Sequence, residues 1–147
     1  METFLIEKVE EEEKMSSTRA SEIMSTYLIE VVGNGQTGLI DGFTSAEFLD
    51  HTQTDLKGPA ALTAHVETFR RNIKDLKVEV IGISAGEDAA FGVWRWEGIP
   101  IDPIWGKTAQ GDFIVPRLIG SHFLFKKGIL VEYQPFLDAM DMFGQLD

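Results

Sequence analysis

"HFLFKKGILVEYQPF", residues 122–136, is two apolar runs joined through a glycine. β-Branched and aromatic residues bounded by a Lys-Lys-Gly step read as strands, and Gly128 supplies the turn that makes them an antiparallel hairpin. Upstream, "LKVEVIGIS" (76–84) alternates apolar with polar residues, and "AAFGVWRWEG" (89–98) is aromatic and apolar. "GDFIVPRLIGSHFLFKKG" (111–128) is long enough to be one extended strand. Pro116 cannot donate to a ladder, so this strand must break, bulge or lie at an edge there.

Ahead of the strands the period changes. Ile23, Tyr27 and Val31 recur every fourth residue with Met24, Leu28 and Val32 beside them, which predicts a helix with a wide apolar face. Gly33 to Gly38 end it. "FTSAEFLDH" (43–51) reads as a short second helix capped by Thr44 or Ser45. A third helix opens at Pro59 and runs through Leu62, Val66, Phe69 and Ile73. Helices first and strands last imply an α+β domain, with a strongly bent, mostly antiparallel sheet covered on one face by helices. The expectation is a sheet over residues 77–137 with helices over 15–73 closing it.

The 147 residues suit one domain, residues 15–147, behind an acidic lead-in at 1–14 that contains Glu10 to Glu13. Net charge is −11, which argues against nucleic acid and anionic membrane surfaces as partners. With no cysteine, disulfides, thiolate catalysis and Cys-based metal sites are excluded. No apolar stretch approaches the roughly 18 residues of a membrane span, and the acidic N-terminus is unlike a secretory signal, so a cytoplasmic enzyme or binding protein is expected.

Two motif readings fail on context. "GNGQTG", Gly33 to Gly38, matches G-x-G-x-x-G, but dinucleotide binding needs a strand before it and a long helix after it. Here a helix precedes it. The three histidines, His51, His65 and His122, have no metal-ligand spacing.

The order of segments resembles the SnoaL-like polyketide cyclase family of the nuclear transport factor 2-like superfamily over about residues 20–146. The features that carry the likeness are the Asp50-His51 pair, "KGPAAL" opening the third helix and "DLKVEV" leading into the sheet. They are completed by Gly106 to Gly111 as G-x-x-x-x-G, and by the terminal "GILVEYQPFLD" with Gln145-Leu146. The resemblance implies a curved sheet wrapped into a cone around a pocket, no metal or organic cofactor, and a homodimer formed through the sheet. It also implies a cyclase or isomerase acting on a small apolar carbonyl compound, with its acid/base at Asp138, just after the last strand. One departure stands out. Where many members carry G-T-H-x-G, this chain has "GIPIDPIWG", with Pro100 near the histidine's place.

Asp138 supports two readings. An aspartate at a strand-to-helix junction commonly caps the helix by accepting backbone N–H bonds. The apolar residues around it, Phe136, Leu137, Met140 and Phe143, would also raise its pKa and suit it to proton transfer. His122 is the second catalytic candidate, because period-two alternation aligns it with Gly120 and Leu124 and would aim it into the pocket if that face is concave. Tyr27, His51, Trp105 and Arg95 are the expected substrate-binding residues. His65 lies near the Leu62/Phe69 face of its helix, where packing is the usual explanation. Arg95 with Glu97 resembles half of an epoxide-hydrolase arrangement, although Pro135 stands where its base is expected. A non-catalytic small-molecule-binding dimer is the other alternative.

Overall fold

The computed structural model describes residues 17–103 and 118–146. Helix α1 covers residues 17–26 and continues as a π-helical segment, Tyr27–Gly33. A 3₁₀ segment, Thr37–Gly42, leads into strand β1, Thr44–Asp50. After helix α2, Pro59–Arg71, come β2, Ile73–Ala85, and β3, Ala89–Pro100. The chain closes with β4, Ile119–Lys126, β5, Ile129–Leu137, and α3, Ala139–Gly144. Among the described residues no helix is long and apolar enough to cross a membrane. The acidic lead-in, Trp105 and Pro116 lie outside the described residues.

The five strands form one curved, open sheet in the order β1-β5-β4-β3-β2. All pairs are antiparallel except β1 with β5. The hairpin at Gly128 forms as expected: Lys127 and Gly128 have φ of 53° and 76°, the paired left-handed conformation that matches strand twist. The segment "TSAEFLD" corrects the sequence expectation, because it is a strand and not a helix. Its Ala, Glu and Leu favour helix locally, but the edge of β5 offers its backbone a ladder, and that tertiary pairing prevails. The sheet therefore begins at Thr44, with a second stretch opening at Ile73 rather than 77.

Alternation divides the sheet into two faces. Ala90, Trp94 and Trp96 of β3, Ile119, Ser121, Phe123 and Phe125 of β4, and Leu130 and Tyr133 of β5 are buried toward the helices. Over them lies α1 with its π-helical extension, burying Ala20, Ile23, Met24, Tyr27, Leu28, Val31 and Val32. Gly92 permits this close approach, since a Cβ there would stand 2.9 Å from Leu28 Cδ1 and 3.0 Å from Met24. Where the π-helical segment ends, its carbonyls need partners. Arg70 of α2 supplies them, its Nη1 donating to Val32 O at 2.6 Å and Gly33 O at 2.9 Å. The helix carrying Tyr27 is thereby pinned to the helix carrying His65.

Candidate functional site

Parallel pairing sets Asp50, the last residue of β1, directly beside Tyr133 of β5. Strand geometry points both side chains toward the helices, and Asp50 is 1% exposed. A carboxylate so placed must be paired or hydrogen-bonded. Thr52 satisfies one oxygen twice, its backbone N–H donating to Oδ1 at 2.9 Å and its hydroxyl at 2.6 Å. The other oxygen, Oδ2, lies 2.6 Å from Nδ1 of His65 on α2. An ionised carboxylate accepts only, so Nδ1 carries the proton and donates. In the neutral imidazole this tautomer leaves Nε2 as the acceptor, the form a general base requires. The imidazole is 27% exposed, and its Nδ1 is tied to a fully buried carboxylate.

Burial pushes the Asp50 carboxyl up, but the hydrogen bonds from His65 and Thr52 and the attraction of the imidazole outweigh it and hold its pKa below the ordinary value. A depressed folded pKa contributes stability that is fully present above the ordinary aspartate value of about 3.9 and is lost as pH falls through the folded value. Asp50→Asn, which cannot ionise, should lose stability less steeply than the parent below about pH 4, as urea midpoints at stepped pH would reveal.

Next to this pair lies a second polar group. Tyr133 packs edge-on against His65, with ring centroids 5.5 Å apart, and against Tyr27 at 5.7 Å. Trp94 Nε1 donates to Ser121 Oγ at 2.9 Å, and that oxygen lies 3.3 Å from the Tyr133 hydroxyl. Burial pushes the Tyr27 phenol well above its usual range and Tyr133 up to about 12, so both are neutral hydrogen-bonding groups at physiological pH. An anchored base beside neutral phenols suits proton abstraction next to a carbonyl. Among the described residues no three His, Asp or Glu side chains gather into a metal-binding group.

Of the residues expected from sequence, Tyr27 is in this cluster. Asp138 is exposed and caps α3, accepting from Asp141 N–H at 3.0 Å. Its capping reading is the one visible in the contacts. Asp138→Ala should cost about 1 kcal/mol in a thermal melt, the usual loss for a cap. His122 and Arg95 project from the opposite, convex face. The His122 ring lies tilted beside Phe91, centroids 6.4 Å apart, and Arg95 Nε donates to Glu79 at 2.7 Å. The alternation was read correctly, but the concave face carries Ser121 and Phe123 instead of His122. His51 is exposed, 3.6 Å from the Glu132 carboxylate. His65, read as a packing residue, pairs with Asp50; Asp50, Ser121, Trp94 and Tyr133 were missed as site residues. The one local signal was Asp50-x-Thr52, a spacing at which an aspartate accepts from its own chain two residues on.

No curated protein matches the chain. Among solved structures it is similar to TsrD from Streptomyces laurentii, with 17% identity and TM-score 0.75, covering 87% of this chain and 94% of that one. A SnoaL-like polyketide cyclase from Agrobacterium tumefaciens gives 10% identity and TM-score 0.70, covering 82% and 93%. An epoxide hydrolase from M. tuberculosis gives 14% and 0.65, covering 88% and 90%. At these identities the likeness shows the fold, the nuclear transport factor 2-like fold. The family model for SnoaL-like polyketide cyclases matches residues 22–146, from the apolar face of α1 through the residues after α3, and the chain belongs to that family.

Proposed function

We propose that this protein is a cyclase or isomerase working by side-chain acid/base catalysis on a small, apolar, polyketide-like carbonyl compound. The observation that carries the reading is the buried Asp50 carboxylate held 2.6 Å from the partly exposed His65. In this scheme His65 Nε2 removes an acidic proton from carbon between two carbonyls. The carbanion attacks a second carbonyl of the same molecule, forming a carbon–carbon bond and an alkoxide. The imidazolium returns the proton to that alkoxide, so the side chains end as they began. Asp50 stays ionised, fixing the tautomer and stabilising the imidazolium. The acid/base role that resemblance suggests for Asp138 passes to His65, because Asp138 is exposed and already engaged in capping. A panel of poly-β-carbonyl esters tests the proposal, with a cyclised product in the presence of protein as the expected result. Saturable binding without conversion of any member would favour the small-molecule-binder reading. Epoxide hydrolysis is disfavoured because Arg95 lies on the convex face, paired to Glu79.

The same proposal includes a two-fold homodimer through the convex face. There Phe91 and Phe136 have ring centroids 6.4 Å apart and are 37% and 55% exposed, so a second copy would remove substantial apolar surface from water. Light scattering at micromolar concentration should give two chain masses; one chain mass would contradict this.

A further inference from the structure

We infer that Tyr133 is a further catalytic residue, the hydrogen-bond donor to the substrate carbonyl as it becomes an enolate, with Ser121 and Trp94 as the residues that aim its proton. The inference rests on the acid/base reading of His65 and adds the electrophilic half of that site. An indole N–H only donates, so Ser121 Oγ accepts from Trp94 at 2.9 Å. The serine hydroxyl proton is then free for the oxygen of Tyr133, 3.3 Å away. The Tyr27 ring packs edge-on against that of Tyr133, centroids 5.7 Å apart, and holds it in place. A phenol oxygen that accepts from Ser121 directs its own proton elsewhere. Tyr133 is the neighbour of Asp50 across the β1–β5 ladder, and its ring lies against His65. The phenol and the base are therefore direct neighbours.

Donation from Ser121 would also stabilise the Tyr133 phenolate. Burial pushes its pKa up, while the hydrogen bond from Ser121 pulls against that rise. Burial and its neighbour's charge push Tyr27 up as well. The bond to Ser121 is what makes Tyr133 the better donor to a developing oxyanion. No strand pattern announces this, since Tyr133 reads as one more aromatic of an apolar run.

The chain contains only two tyrosines, so tyrosine spectroscopy reads this cluster without background. With both replaced biosynthetically by the more acidic 3-fluorotyrosine, ¹⁹F NMR gives two resonances, assigned with Tyr27→Phe and Tyr133→Phe. Tyr133 should ionise first, Ser121→Ala should raise its titration midpoint, and Ser121→Thr should restore it. Tyr27 ionising first, or Ser121→Ala leaving both midpoints unmoved, would overturn the arrangement. In turnover, Tyr133→Phe should lower kcat about 10²–10³-fold with KM little changed, the usual loss for one oxyanion donor. If His65→Asn abolishes turnover and Tyr133→Phe keeps it within twofold, the donor role is wrong and the base reading survives. If His65→Asn keeps turnover, the base reading itself falls, and the donor role falls with it.

Discussion

Replacing His65 by asparagine should lower turnover about 10²–10⁴-fold, the range general acid/base groups contribute, while the melting temperature changes little. The asparagine amide nitrogen occupies roughly the place of imidazole Nδ1, so the hydrogen bond to Asp50 Oδ2, 2.6 Å in the parent, can be kept. What disappears is Nε2 and with it the proton acceptor. Asp50→Asn should also lose activity, for a different reason. An amide presented to Nδ1 no longer fixes the tautomer or balances the imidazolium, so fewer molecules hold Nε2 unprotonated and correctly turned. Steady-state kinetics beside a thermal melt separates these effects from unfolding. The same two measurements on Asp138→Asn should show turnover unchanged.

The largest effect on stability should come from Phe123→Ala. Phe123 is fully buried on the concave face, with its ring 5.0 Å from Tyr27, 5.3 Å from Tyr133 and 6.1 Å from Phe125. Removing it takes away apolar burial and leaves a void among rings that cannot all move inward, a loss of about 3–5 kcal/mol. For a domain of this size that corresponds to a melting midpoint lower by roughly 6–20 °C. Calorimetry checks it. Because Tyr27 and Tyr133 rest on this ring, the variant should also blur the phenol positions, so its loss of activity carries no information about catalysis.

Much of this architecture was legible from residues alone, and the failures have one physical origin. The apolar face of α1, Pro59 at the start of α2 and the Gly128 hairpin are set by contacts close in sequence, and each was readable. β1 was not, because its partner strand β5 lies some eighty residues away and supplies a ladder that no local pattern reveals. That misreading concealed the site. With residues 43–51 taken as a helix, Asp50 has no inward direction, and His65, fifteen residues along the chain, has no visible partner. Period-two alternation correctly grouped His122 with Gly120 and Leu124, yet "SHFLF" is apolar on both faces, so it could not say which one the helices cover. Tyr27 was found because a helix face turned toward a sheet is decided by periodicity. Tyr133 was missed because the polar groups beside it, Ser121 and the Trp94 indole, come from two other strands.

Solvent deuterium exchange tests the central claim, that His65 held by Asp50 is the proton acceptor, more directly than product formation does. A β-dicarbonyl compound unable to cyclise is incubated with the protein in D₂O, and ¹H NMR follows the C–H between its carbonyls. Exchange well above the buffer rate is expected with the parent protein and with Asp138→Asn, and exchange near the buffer rate with His65→Asn. Exchange by His65→Asn at the parent rate, or its loss in Asp138→Asn alone, would contradict it.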